Sequence, residues 1–310
     1  MSAICFDGPF SKHCMSAPQH SKQAPSKGKV FVIRLGSTLA LWAFITVGLL
    51  LGLDWLLVVM IALAGIGTSA EYFRLEARDP KAKPYRWVGF GLCVAFWAIV
   101  AWQTIPDSVE PPWWLEGALL AATIQAAFLP ALARSLEGRD TLVRIYFTIF
   151  GVIYTALMLG FLVRILFMAE ASSGAHLLLM TIMVTKFSDM GAYAFGSWFG
   201  KHKMIPHISP AKTWEGLSGA FVGCYVAMCS MMFAVPDKLA PLDWTHALIL
   251  APILCVAAVI GDLAESVLKR CHSIKDSGHK LPGIGGILDL TDSLLFTAPI
   301  CYFYLKAIAA

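Results

Sequence analysis

Charge is scarce in this sequence. Only 14% of its 310 residues are Asp, Glu, Lys or Arg, where a soluble domain carries about 25%. With 58% hydrophobic residues and a mean hydropathy of +0.69, that scarcity excludes an ordinary water-soluble domain. Other things are missing too. The eight cysteines (5, 14, 93, 224, 229, 255, 271 and 301) form no CxxC pair and no Cys/His group with zinc spacing. They read as small apolar residues rather than a disulfide frame or a metal cage. There is no Ser/His/Asp or Cys/His arrangement for nucleophilic catalysis, and no convincing internal repeat. The apolar run near the N-terminus begins too late and is too long for a secretory signal. Residues 1–29 lack periodicity and carry Pro, Ser, Lys and His, which predicts a disordered tail.

What is present is a series of long apolar segments. A bilayer-spanning helix needs roughly 20 mostly apolar residues. About nine segments meet that length by inspection, near 33–53, 55–75, 87–105, 115–133, 144–168, 174–198, 215–235, 246–268 and 290–308. The expected fold class is all-α, a polytopic integral membrane protein of about nine transmembrane helices. Residues 30–310 form one helical domain, with the chemistry in its second half, at about 174–308.

Basic residues set the orientation. Lys12, Lys22, Lys27, Lys29 and Arg34 precede or open the first segment. Arg74, Arg78, Lys81, Lys83 and Arg86 follow the second, and Arg134, Arg139 and Arg144 the fourth. Lys201, Lys203 and Lys212 follow the sixth, and Lys269, Arg270, Lys275 and Lys280 the eighth. All of these fall on one side of the membrane, and they are 20 of the 24 Lys and Arg residues. The positive-inside rule makes that side cytoplasmic, with the N-terminal tail on it. The two segments richest in polar motifs, 199–214 and 269–289, therefore face one compartment.

Asp262, Glu265, Ser266 and Lys269 share one face of a helix by their spacing. A polar stripe in an apolar helix belongs in the bundle interior. Asp289 and Asp292 are three apart and can present two carboxylates side by side; taken alone, they also fit a helix N-cap and a first-turn acid. Between these helices lie Lys275, Asp276 and Gly278, Pro282, Gly283, Gly285 and Gly286, a loop whose backbone can approach a ligand closely. Carboxylates, glycines and lysines together suit phosphates and Mg²⁺, a hard cation that prefers oxygen ligands. Lys186 and Asp189 fit either a site or a mutually neutral structural pair. Ser209 belongs to a Ser-Pro-x-Lys-Thr turn, and the lysines around it can grip phosphate or rest on anionic headgroups. His202, His207 and His279 read as solvated, and Glu71, at the end of the second segment, as an interface residue.

Five stretches in order, SDMGAYAFG, GKHKMIPHISPAKTWEG, GDLAESVLKR, KDSG and PGIGGILDLTDS, resemble the successive signature segments of the phosphatidate cytidylyltransferases, or CDP-diacylglycerol synthases, over residues 186–296. The N-terminal half matches only in hydropathy. The resemblance implies a membrane enzyme that joins CTP to phosphatidate with a divalent metal, usually Mg²⁺, and releases diphosphate. Carried over by motif, the metal-site acids are Asp262, Asp289 and Asp292, with Asp189 nearby; Lys269, Asp289 and Asp292 are the catalytic candidates. Lys212, Arg270 and Lys275 are the phosphate-binding candidates, with Ser209, Gly285 and Gly286 beside them. In the last segment Ile284 stands where the family commonly has His, and Leu290 where it has Arg.

Such a reaction needs no strong base, since a phosphate monoester with a second pKa near 6 is mostly dianionic at neutral pH. The expected partners are CTP and phosphatidate in the bilayer, without nucleic acid, and a homodimer is compatible with the chain. The expected location is a bacterial inner membrane with the site facing the cytoplasm. A CTP-dependent lipid or polyprenol kinase is the nearest alternative. A transporter using Lys186 and Asp189 as a coupling pair is the other, against which stands the absent repeat.

Overall fold

The computed structural model describes residues 45–48, 51–77, 83–106, 108–168, 171–272 and 286–309. Eight long helices make up nearly all of it: α1 (Asp54–Glu76), α2 (Arg86–Thr104), α3 (Leu115–Leu132), α4 (Arg139–Leu166), α5 (Ala171–Phe199), α6 (Trp214–Ala234), α7 (Trp244–Cys271) and α8 (Ile287–Ala309). They coincide with the second to ninth segments expected from hydropathy, to within a few residues at each end. Most of the first segment, and the 1–29 tail, lie outside the described residues. Six of the helices are long and apolar enough to cross a membrane; the other two, α5 and α8, carry Lys186 and Asp189, and Asp289 and Asp292. A helix satisfies its backbone hydrogen bonds internally, the condition hydrocarbon imposes. Pro130, Pro252 and Pro299 inside α3, α7 and α8 are tolerated in that setting.

Local chemistry sets several helix starts. Thr213 Oγ1 accepts from Gly216 N at 3.0 Å and caps α6, and Asp243 Oδ1 accepts from His246 N at 2.7 Å and caps α7. α4 contains a π-turn over Ile153–Leu157, the kind of irregularity that often sits near functional sites. It directs Thr155 to Ser69 of α1 (2.8 Å) and stands Tyr154 edge-on to Phe296 of α8.

Small residues let the helices of the second half approach. α5 and α6 cross where Gly191 meets the Gly219 carbonyl and Gly223 meets that of Phe187, so a methyl group at either glycine would collide with backbone. Without a hydrophobic drive between helices in lipid, such close contact supplies the attraction. α7 and α8 meet at Gly261, where an added Cβ would lie 2.6 Å from the Asp292 carbonyl. That crossing sets Asp262 beside Asp292.

The segment 199–214, expected as a turn-rich loop, instead forms a short antiparallel hairpin of β1 (Lys203–Ile205) and β2 (Ser209–Thr213). Glu215 fastens its base, accepting from Lys201 N (3.1 Å), from His202 N (3.2 Å) and from the His202 ring (2.6 Å). Its tip is tied to the end of α7 by Arg270 Nε, which donates to Ile208 O at 3.1 Å. The opposite end of the bundle is held by a second network. Buried Arg164 of α4 binds Glu116 and Glu110 and the carbonyls of Pro111 and Pro112, linking the α2–α3 connection to α4.

Candidate active site

The hairpin end of the bundle gathers acids from three helices. Asp262 and Glu265 of α7 and Asp292 of α8 each offer a carboxylate oxygen, and these lie within 4.8 Å of one another. Glu265 and Asp292 are buried, at 2% and 6% exposure. Asp289 stands one turn before Asp292, across Lys269: the ammonium bonds Glu265 Oε2 and Asp289 Oδ1, both at 2.7 Å. The other Asp289 oxygen accepts from Gly286 N at 2.9 Å, closing the first turn of α8. The cap reading and the site reading of Asp289 thus coexist in one side chain.

Asp189 of α5 stands on the other side of Asp292. It pairs with Lys186 at 3.7 Å and accepts from Ser293 Oγ at 3.4 Å. Lys186 also donates to Leu290 O at 2.7 Å, fixing α5 to α8. Lys212 of β2 reaches Asp262 at 3.0 Å. Ser209 lines the same cavity as Lys212, whereas Arg270 serves the hairpin tip through Ile208 O. Lys275 and Gly285, with Asp276 and Ile284, lie outside the described residues.

By formal charge, Asp189, Asp262, Glu265, Asp289 and Asp292 set five negative charges against the three positive ones of Lys186, Lys212 and Lys269. Among these described residues the excess is two, the charge of one divalent cation. Glu265 Oε1 is buried and has no hydrogen-bond partner among the described residues. A carboxylate oxygen left bare in a low-dielectric setting is costly. Hard oxygen donors at this separation fit a cation of the Mg²⁺ type.

Two cavities of different polarity meet here. One, of about 260 Å³, lies under the hairpin between α5, α6 and α7, and includes Ser188, Asp189, Tyr193, Ser209, Lys212 and Asp262 in its wall. The other, of about 270 Å³, is apolar. Leu57 and Ile61 of α1, Leu162 of α4, Ile182 of α5 and Leu294 of α8 line it, and it ends at Lys186 and Asp189. Asp189 belongs to both walls.

Three participants lie outside the site residues carried over by motif. Glu265 counts among the carboxylates that suit Mg²⁺ but not among the metal-site acids the motif implies. Glu71, expected at the interface, is 2% exposed and accepts from Leu288 N at 2.9 Å, capping α8 from α1. Beside it Thr68 Oγ1 meets Thr291 Oγ1 at 2.8 Å. Tyr154, placed by the π-turn, keeps a buried hydroxyl within electrostatic reach of Asp292 and Glu265. The i+3 spacing from Asp262 pointed to Glu265; no local signal marks the other two.

The model of the cytidylyltransferase family matches residues 32–308, nearly the whole chain. The chain belongs to that family. Among curated cytidylyltransferases, a phosphatidate cytidylyltransferase of Staphylococcus haemolyticus is 36% identical over 188 residues, 60% of this chain and 69% of that protein. One of Bacillus subtilis is 45% identical over 118 residues, 38% of this chain and 43% of the relative. An uncharacterized protein of Escherichia coli is 36% identical over 133 residues, 43% of each chain. The chain thus spans less than half of the last two relatives and about two thirds of the first.

Proposed function

We propose that this cytidylyltransferase-family protein transfers a cytidylyl group from CTP to phosphatidate, forming CDP-diacylglycerol and diphosphate, at the cytoplasmic face of a bacterial inner membrane. The observation that carries the reading is the meeting at Asp189 of a cavity bearing Ser188, Ser209, Lys212 and Asp262 with a more apolar one, beside the Asp262–Glu265–Asp292 cluster. A reaction between a water-soluble nucleotide and a lipid phosphate needs such a junction. Acyl chain takes the apolar groove; Ile182 and Leu178 in its wall lie one and two turns before Lys186 on α5, so a headgroup at Lys186 leaves the chain directed into the bilayer. Nucleotide takes the cavity under the hairpin, where Ser188, Ser209 and Tyr193 supply hydrogen-bonding groups and Lys212 a cation.

An oxygen of the lipid phosphate forms a bond to the α-phosphorus of CTP, and the bond from that phosphorus to the α–β bridging oxygen breaks. The electron pair leaves on diphosphate. Both reactants are anions, so the task is electrostatic. Lys186, held by Leu290 O, places positive charge where the headgroup arrives. Lys212 offers its ammonium to the nucleotide phosphates from the hairpin. Lys269 keeps Glu265 and Asp289 apart and oriented. Asp262, Glu265 and Asp292, with Asp289 adjacent, would hold Mg²⁺, which would neutralise phosphate charge there. No residue has to abstract a proton, consistent with the dianionic nucleophile.

CTP labelled in either the α- or the γ-phosphate, incubated with purified protein, phosphatidate and Mg²⁺, tests the reading. The expected result is α-label on the lipid and γ-label in diphosphate. γ-Label on the lipid would establish a kinase, and uptake into proteoliposomes without lipid turnover a transporter; either overturns the proposal.

A further inference from the structure

The acids of the candidate site occupy the second half of the chain; a separate basic surface lies in the first. A cavity of about 420 Å³ opens where α1 ends, α2 begins and the α3–α4 connection passes, and Lys83, Arg86, Arg134 and Arg144 line it with Tyr85 and Trp87. A smaller hollow of about 150 Å³ shares Arg86 and Trp87 and adds Arg74 and the apolar Phe73 and Phe90. Five cations therefore converge: Arg74 of α1, Lys83 and Arg86 at the start of α2, Arg134 of the α3–α4 connection and Arg144 of α4. Among the described residues their one carboxylate partner is Glu137, which bonds Arg144 at 2.6 Å. The formal excess is four positive charges in a concave place, an arrangement that concentrates anions.

Three details mark the cavity as built. Arg144 Nε is buried and lacks a hydrogen-bond partner among the described residues, so the side chain carries an unused donor. Tyr85 N donates to Thr148 Oγ1 at 2.9 Å, which pins the entry to α2 against α4 and holds Lys83 at the rim. The Arg86 guanidinium lies 4.9 Å from the centre of the Trp87 ring, a contact that limits its motion. The cavity lies at the same end of the bundle as the acids: Ala77 in its wall directly follows Glu76, which meets His272 at the end of α7 at 3.3 Å. It shares no residue with either cavity of the candidate active site.

We propose that this cavity binds the phosphate of an anionic glycerophospholipid headgroup from the leaflet facing the active site, as a site separate from the reacting pair. Guanidinium groups match phosphate oxygens in pairs of hydrogen bonds, and basic pockets between transmembrane helices suit anionic headgroups. A lipid is favoured over a free anion by what adjoins the charges. Trp87 is 73% exposed at the level of the helix ends, where interfacial aromatics sit. Phe90, half-buried, lines the hollow that Arg86 shares. A soluble phosphate makes no use of that apolar wall, whereas the glycerol and first acyl carbons of a lipid cover it. The proposal does not depend on which reaction the acids perform.

The test uses the full-length protein in nanodiscs of phosphatidylcholine titrated with phosphatidylglycerol, with native mass spectrometry to count retained lipid. Arg86→Gln with Arg134→Gln is compared with a control pair outside every cavity described, Arg139→Gln with Lys238→Gln. All four residues are exposed, and unchanged unfolding midpoints confirm folding. At roughly 1 kcal/mol per cation, the cavity pair is expected to weaken phosphatidylglycerol binding about 30-fold. The control pair is expected to change it less than about threefold. Wild-type affinity in the cavity pair would overturn the proposal, and so would an equal loss in the control pair, which would mean general surface charge. Displacement of the lipid by millimolar inorganic phosphate, with the same dependence on Arg86 and Arg134, would assign the cavity to a soluble anion and also overturn it.

Discussion

Replacing Glu71 by alanine should loosen the helix that carries Asp289 and Asp292. Glu71 sits on α1, and its carboxylate accepts the Leu288 N–H at the first turn of α8 in a buried setting. Losing a helix cap costs about 0.5–2 kcal/mol, and leaving a buried donor unpaired costs about 1–3 kcal/mol. These describe the same lost bond, so the expected destabilisation is about 2 kcal/mol rather than their sum. Thr68–Thr291 still joins the two helices at 2.8 Å, so α8 stays in place while its first turn shifts. Supports of metal ligands typically change metal affinity 10- to 100-fold when removed. Half-saturating Mg²⁺ for CTP turnover should therefore rise about tenfold in Glu71→Ala. Glu71→Gln keeps an acceptor oxygen and should stay within about threefold of wild type. Denaturant unfolding in detergent and a Mg²⁺ titration of turnover measure both. Two results would refute the reasoning: an alanine variant with unchanged stability and Mg²⁺ dependence, or a glutamine variant as impaired as the alanine one.

Two further predictions concern the same neighbourhood. Lys269→Met leaves Glu265 and Asp289 facing each other without their shared cation; breaking a buried pair in this way costs about 3–5 kcal/mol. Adding Glu265→Gln to it should recover part of that loss, and a double-mutant cycle by chemical denaturation reads the coupling. Gly261→Val should force α7 from α8, because even a Cβ would lie 2.6 Å from the Asp292 carbonyl and 2.9 Å from Ser293 Cα. About 1–3 kcal/mol of stability should be lost, with a larger fall in apparent Mg²⁺ affinity than in unfolding midpoint.

How much of this was legible in the sequence depends on the range of the interaction. The helices were readable because lipid imposes one local solution on the backbone, visible as apolar length. Asp262, Asp289 and Asp292 were readable because carboxylates are costly in such segments and stand out. Glu265 was half-legible: its spacing put it on the right face, but its approach to Asp292 depends on the Gly261 crossing. Glu71 was not legible at all. Its partner is 217 residues away, and a lone acid at a helix end looks the same whether it faces water or caps another helix. The hairpin was missed because strands of three and five residues, one containing Pro210, carry too little alternation to register. The glycine loop and Lys275 fall outside the described residues, so their part in the site rests on the motif.

The decisive question is whether the buried carboxylates share a cation. Mn²⁺, an oxygen-preferring ion that can be followed by electron paramagnetic resonance, can be titrated into purified full-length protein and into Asp292→Asn, Glu265→Gln and Asp243→Asn, the last altering the cap at the start of α7, remote from the cluster. The prediction is a bound signal in wild type and Asp243→Asn, and a loss of affinity of at least about tenfold in the other two. Equal binding in all four proteins would contradict it.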